Sequence, residues 1–421
     1  MKIFYFSDSE NTFKSFLYYY SMPTIVEHIV STHAGHPVRA GDVLEELPVD
    51  SLLINDVAAV QLWERYESLK LEAPPYDPSA IFVVLDHVVP PPDPVIADNL
   101  YRTKKFARKL HLNLFREGEG IEHVLLPEHG LVSSGDILVG TDSHTCTNGA
   151  LGCFAFGIGI TDALFVMLTG TFYNFEVPET VHLICSGQLS QGVYAKDVIL
   201  YMLSHLDTQA VFDRVLQFSG NPVDSMSLDE KSTLCNMVTE ISARTGIISS
   251  PTPDISADDS QYEFFLNDIP PYVAVPHSPL HGKPISEVHT DITKAFLGSC
   301  TNARFSDLEV AASILEGRQV CEQVDLYVVP GSRHIFNQIS QVGILSQFLQ
   351  AGAVVLPPNC AACFGRHMGT LGPHDICISS GNRNYVGRMG SKDAQVYLGS
   401  PATVAASAVT GTITDPRELM T

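Results

Sequence analysis

What most constrains the fold of this chain is a series of apolar runs, three to five residues long, that recur between stretches of helical periodicity. They are Ile81–Leu85, Ile137–Val139, Val181–Cys185, Ala295–Leu297, Leu326–Val329, Ala353–Leu356 and Ile376–Ile378. Runs this short, bounded by Gly, Pro and Asp, are too brief for buried helices and read as buried parallel strands joined by helical crossovers. The predicted class is therefore α/β. Composition shifts at Glu176–Val177–Pro178 and through the Pro-, Ser- and Asp-rich stretch Ser249–Pro284 divide the chain into lobes over residues 22–176, 177–290 and 291–421. Residues 1–21 read as a leader with no assigned function, because the first conventional amphipathic helix begins after Met22 with Ile25, Ile29 and Val30 at helical spacing. The small-residue segment Ser400–Gly411 is expected to be a tightly packed helix.

Charge narrows the partners. Lys and Arg number 25 against 47 Asp and Glu, a formal charge of −22 that repels phosphate backbones and excludes non-specific nucleic-acid binding. An anionic substrate then needs a local basic pocket. No signal-peptide pattern is present near the start, and the long uncharged stretch around Ser143–Thr161 is broken by Gly149, Gly152, Gly157 and Gly159, so no membrane span is expected. Nine cysteines, an odd number in 421 residues, are too few for a disulfide scaffold and fit a reducing, cytoplasmic setting.

Ligands of open parallel sheets bind beyond the carboxyl ends of the strands, and those positions are unusually polar here. Asp86 and His87 follow the first run; Thr141, Asp142, Ser143 and His144 follow the second; Ser299 and Cys300 follow Ala295–Leu297; Asn382 and Arg383 follow Ile376–Ile378. Asp and Ser are ordinary helix N-caps, so one such tip means little. Several tips bearing His, Cys and Arg point to chemistry.

Cys360 and Cys363 form a C-x-x-C after Ala353–Leu356, and fifty-nine residues separate Cys300 from Cys360, room for a helix, the strand Leu326–Val329 and a second helix near Ile335–Leu349. Two crossovers bring the three thiols to one rim of one sheet. A structural zinc with His367 as fourth ligand is one reading. An iron–sulfur cluster with one open iron is the other, and it gives the surrounding His, Asp, Asn and Arg a purpose. Disulfide exchange leaves Cys300 without a role. Among the other cysteines, Cys146 alone lies in a polar loop; the rest read as small buried apolar residues. No G-x-S-x-G elbow accompanies Ser143–His144, and Gly157-x-Gly159 runs on to Asp162 where a dinucleotide fingerprint needs glycine. Close packing explains those glycines. Arg383 and Arg388 fit bidentate clamps for carboxylates.

Taken in order, Asp86-His87, Gly120-Ile121-Glu122-His123, Leu126-Pro127-Glu128, Gly140-Thr141-Asp142-Ser143-His144-Thr145, Gly298-Ser299-Cys300-Thr301-Asn302, Cys360-x-x-Cys363-Phe364-Gly365 and the Asn382–Arg388 loop resemble the aconitase superfamily. Within it they are similar to the large subunits of the isopropylmalate dehydratase and homoaconitase branch. The resemblance runs from about Met22 to the C-terminus. It implies three α/β/α lobes and one [4Fe–4S] cluster on Cys300, Cys360 and Cys363, with the fourth iron open to substrate. The implied reaction is reversible dehydration and rehydration of a 2-hydroxy di- or tricarboxylic acid, with isopropylmalate isomerisation in leucine biosynthesis foremost. Asp86, His87, His123, Asp142 and His144 would form the proton-transfer set, and Ser143, Asn382, Arg383 and Arg388 would bind substrate. Single-chain relatives continue into a swivelling domain; here the resemblance implies a separate small subunit, in a heterodimer or heterotetramer, without which the chain is inactive. Two departures stand out: Gln217 in Leu216-Gln217-Phe218-Ser219-Gly220, where relatives carry an acidic residue near the site, and Pro357-Pro358-Asn359 before the C-x-x-C. Gln217 is expected to alter the local proton inventory.

Overall fold

The computed structural model describes residues 23–70, 73–249 and 260–420. The leader at 1–21 and residues 250–259 of the boundary stretch lie outside the described residues. Each expected apolar run overlaps a strand of one of three sheets.

In the first sheet the strand order is Asn113–Phe115, Ile81–Val84, Ser51–Asn55, Ile137–Gly140, Phe154–Gly157, all parallel. The second runs Thr245–Ile248, Val215–Ser219, Thr180–Ser186, Gln261–Phe265, again parallel. The third has seven strands, Gly282–Pro284, Tyr272–Ala274, Gln395–Leu398, Ile376–Ser379, Lys294–Leu297, Asp325–Val328 and Val354–Val355, of which the last five are parallel. Tyr272–Ala274 and Gly282–Pro284, expected in the second lobe, belong to this third sheet as an antiparallel edge. The Pro270–Pro271 pair separates them from Gln261–Phe265, and Ala274 pairs with Leu398.

Parallel pairing sets the site. Phe296 stands opposite Ser379, Leu297 opposite Val328, and Val328 opposite Val355, so the residues after all four strands emerge at one edge. The helices Phe305–Leu315, Arg333–Gln341 and Ile344–Gln350 carry the chain back between strands. The expected C-terminal helix spans Pro401–Thr410, starts from a Ser400 cap and ends at Gly411 with φ 82°, a left-handed conformation that favours glycine. Its Ala and Val side chains allow close approach to Phe305–Leu315, inside the apolar core of the third lobe. The first helix, Ile25–Ala34, is fixed by a capping box between Thr24 and Glu27. Among the described residues no helix is long and apolar enough to cross a membrane.

Candidate active site and cluster centre

The tips of the first and third sheets face each other across a small cavity. One wall carries imidazoles and carboxylates: Asp86, His87, Glu122, His123, Asp142 and His144. The other carries Cys300, Cys360 and Cys363 with Asn382 and Arg388. A backbone bond from the Cys360 N–H to the Asp86 carbonyl, 2.8 Å, fastens the two walls together.

Asp142 organises the first wall. Its Oδ1 accepts from the His144 N–H at 2.6 Å and lies 3.2 Å from both His123 Nε2 and His144 Nδ1, while Oδ2 is 3.4 Å from His87 Nε2. Burial would raise its pKa, but the bonds from His123, His144 and His87 hold it well below the usual carboxylate range. His87 has a second set of partners: Nδ1 is 2.7 Å from Asp86 Oδ1, and Asp56 accepts from the His87 and Val88 N–H groups at 3.0 Å. Burial alone would depress the His87 imidazole; the neighbouring Cys360 and Asp86 and the hydrogen bonds with Asp142 and Asp56 instead lift it well above its ordinary value. His123 goes the other way, lowered mainly by burial. The two imidazoles therefore hold protons with different strength, the condition for separate donor and acceptor roles.

Beyond His144 lies a carboxylate that the sequence did not single out. Glu240 Oε1 is 2.9 Å from His144 Nε2 and accepts from Arg383 Nε at 2.8 Å, and Oε2 accepts from the Tyr385 hydroxyl at 3.1 Å. Burial would raise it, but His144 and Arg383 hold it below the usual range. Arg383 also donates to Ser143 Oγ at 2.9 Å. It reaches the site through Glu240 and Ser143, and neither Arg383 nor Ser143 lines the cavity of the thiols. Arg388 does line it. Its guanidinium lies 5.4 Å from the Phe364 ring, and its Nε is buried without a partner, a donor placed for an anionic ligand.

On the second wall, Asn236 Nδ2 and Asn382 Nδ2 donate to Cys300 Sγ at 3.2 and 3.3 Å. Thr301 Oγ1 donates to Asn236 Oδ1 at 2.7 Å and fixes the amide in that orientation. Burial pushes the Cys300 thiol up to about 11 and Cys360 well above its ordinary value, so thiolates here require a cation or cluster to hold them ionised. Among the described residues, the groups whose ligand atoms all lie within 4.8 Å are Asp86–His87–Cys360 and His87–Glu122–Asp142, not the three thiols. A single tetrahedral zinc needs sulfurs about 3.8 Å apart. The three thiols line one cavity but do not all lie within 4.8 Å of one another. His367 turns away, with Nε2 2.8 Å from the Val89 carbonyl.

Gln217, expected to alter the proton inventory, sits mid-strand in the second sheet, opposite His182 and Ile247, and lies outside the cavity. The acidic residue of the site comes from Glu240 instead. Cys146 is a buried thiol with Sγ 3.5 Å from the Ser143 carbonyl and does not line the cavity. Asp56, Asn236 and Glu240 were missed because they sit at the start, the last turn and just beyond the end of helices, where polar residues are ordinary.

A profile of the aconitase family (aconitate hydratase) matches residues 27–254 and 274–411. The chain is 38% identical to the 3-isopropylmalate dehydratase large subunit of Wolinella succinogenes, over 94% of this chain and 99% of that protein. It is 39% identical to 3-isopropylmalate dehydratase large subunit 1 of Methanopyrus kandleri with the same coverage. Among solved structures, aconitase X from Thermococcus kodakaraensis aligns at a TM-score of 0.51 and 12% identity over 90% of this chain and 94% of that one, a likeness of fold alone.

Proposed function

The chain belongs to the aconitase family, and on that premise we propose that it is the cluster-bearing large subunit of a 3-isopropylmalate dehydratase, working with a separate small subunit in leucine biosynthesis. The observation that carries this reading is the pairing of the three thiols with a His–Asp wall across one cavity.

Cys300, Cys360 and Cys363 would hold a [4Fe–4S] cluster whose remaining iron acts as a Lewis acid on the substrate hydroxyl and carboxylate. The donor set fits: three buried thiols, two side-chain amides directed at Cys300 Sγ, and Ser299 Oγ 3.5 Å from Cys363 Sγ. The protein's own residues handle protons and orientation. Hydroxide leaves poorly, so a proton held in the set of His87, His123, His144, Asp86 and Asp142 is delivered to the departing oxygen, while a base brought by the small subunit takes the proton from the neighbouring carbon as the double bond forms. Asp142 keeps these imidazoles oriented in both directions of the reaction, because each has a ring nitrogen on that carboxylate. Arg388 clamps a substrate carboxylate with its unpaired Nε–H. Asn382 contributes from the third sheet, while Ser143 and Arg383 complete the substrate end through Glu240. The small subunit supplies the rest of the substrate pocket, in keeping with the large-subunit names of the relatives.

The test is anaerobic reconstitution with iron and sulfide, followed by hydration assays against isopropylmaleate, homoaconitate and cis-aconitate with the small subunit added. Preference for isopropylmaleate is expected; preference for homoaconitate moves the chain to the homoaconitase branch. Zinc without labile sulfide overturns the dehydratase reading in favour of a non-catalytic metal protein. Full turnover by the isolated chain overturns the partner requirement.

A further inference from the structure

Lys196 is the second residue of the helix Ala195–His205 and has no exposed surface. A cation at a helix N-terminus opposes the macrodipole, and burial adds a desolvation cost, so its position needs an explanation. All three N–H donors are engaged: Nζ lies 2.5 Å from the Gly381 carbonyl, 2.9 Å from the Ser380 carbonyl and 3.4 Å from Asn302 Oδ1. These acceptors are neutral. Among the described residues no carboxylate stands within ion-pair distance of Nζ. The adjacent Asp197 faces elsewhere, accepting from the Tyr194 and Tyr272 N–H groups at 2.8 and 2.9 Å. Glu240 is taken by His144 and Arg383, and Asp307 by Asn302 and Arg304.

The partners of Lys196 are informative. Ser380 and Gly381 form the turn that presents Asn382, whose amide donates to Cys300 Sγ at 3.3 Å and whose Oδ1 is 3.7 Å from Cys363 Sγ. A Cβ at Gly381 would press on Ser379 Oγ at 3.0 Å and lie at ordinary contact distance, 3.6 Å, from Cys363 Sγ. Asn302 lies two residues beyond Cys300. One ammonium group from the second lobe therefore anchors both loops that carry the thiols' neighbours.

We infer that Lys196 is a positioning residue for the thiol centre: it fixes the Ser380–Asn382 turn and the loop after Cys300, and it is the buried counter-charge to the thiolates that hold the cluster. The inference rests on the proposed function for its second half only. Burial lowers the amine to about 8, against the opposing influence of Cys363, Asp307 and Cys300.

The experiment uses the full chain with Lys196→Met, Lys196→Gln and Lys196→Arg. In the metal-free protein, hydrogen exchange over residues 379–384 is expected to quicken at least tenfold in Lys196→Met and less in Lys196→Gln, which keeps an N–H donor. After reconstitution, Lys196→Met and Lys196→Gln should show a more negative cluster reduction potential and severalfold faster iron loss to a chelator. Lys196→Arg should keep the potential near that of the parent. A folded Lys196→Met with parental exchange and parental potential overturns the inference. Should Lys196→Met fail to fold, an unshifted potential in Lys196→Gln overturns the counter-charge role. A parent chain that takes up zinc without sulfide overturns the proposed function and the counter-charge with it, whereas anchoring stands or falls on the exchange experiment alone.

Discussion

His144 Nε2 lies 2.9 Å from Glu240 Oε1, a contact between the strand tip of the first sheet and the helical segment that leads into Thr245–Ile248, an edge strand of the second. Because Nδ1 of the same ring is 3.2 Å from Asp142, both ring nitrogens face carboxylates, and the ring cannot turn without losing one of them. Glu240 also holds Arg383, which binds Ser143, the residue before His144 in the chain. The second lobe thus fixes the wall of imidazoles and carboxylates without lining the cavity.

Replacing Glu240 by Gln is expected to lower kcat by about 10²–10³, within the range general acid–base catalysis contributes, because a neutral amide can still accept from His144 but balances neither a protonated ring nor Arg383. Iron and sulfide content should stay at the parental level, since Glu240 does not touch a thiol. A variant with parental kcat would show that the His144–Glu240 contact has no part in turnover. Steady-state rates and cluster analysis on one preparation decide the matter.

Cys363→Ser addresses the opposite wall. Serine keeps the approximate size and the contact with Ser299 but loses the soft thiolate that iron prefers. Cluster retention should fall several-fold and hydration with the small subunit should be almost lost, while the thermal unfolding of the metal-free protein barely moves. Parental iron stoichiometry together with normal turnover would remove Cys363 from the ligand set. Cys146→Ser, at a buried thiol outside the cavity, should leave the cluster signature unchanged.

Much of this site was legible from the chain because its residues follow continuous apolar runs. Ile81–Val84 and Ile137–Gly140 are buried throughout, so their ends at Asp86–His87 and Asp142–His144 announce themselves. Strands with mixed patterns were not read from the chain. Val215–Ser219 buries Gln217 and Ser219 among apolar neighbours, and Gln395–Leu398 begins with an exposed Gln. Long-range contacts were the other gap. Lys196, Asn236 and Glu240 acquire their meaning from partners in other lobes, and no local spacing encodes that. Tertiary placement, rather than helix propensity, makes them part of the site.

Asp197 gives a stability test that is independent of the cluster. Burial raises its carboxyl from the ordinary 3.8 to about 7, against the opposing bonds from the Tyr272 and Tyr194 N–H groups. A folded-state value above the unfolded one means the native chain binds the extra proton. Its stabilising contribution is complete below pH 3.8 and is lost as pH rises toward about 7. Asp197→Asn removes that slope and also surrenders one of the two accepted backbone bonds. The variant should be distinctly less stable than the parent at pH 5, and the gap should narrow by pH 8. Denaturant unfolding across this window is the measurement, and parallel profiles for the two proteins would contradict the assignment.

Gly157 ends the strand Phe154–Gly157 against the loop that carries Asp142 and His144. A Cβ at this position would lie 2.8 Å from the Asp142 carbonyl oxygen and 3.0 Å from Ser143 Cα, both backbone atoms that have no rotamer to yield. Gly157→Ala must therefore shift the Asp142–Ser143 turn, at a cost of about 1–3 kcal/mol, and with it the carboxylate that orients His123 and His144. A displacement of that kind lowers kcat more than it lowers cluster content, because the thiols belong to the third sheet. The neighbouring Gly159 is a matched control. It has φ −73°, and a Cβ there meets only Asp162 Oδ2 at 3.5 Å, so Gly159→Ala should keep parental activity and stability. Equal losses in the two variants would refute the claim that close approach to Asp142 is what requires glycine at 157.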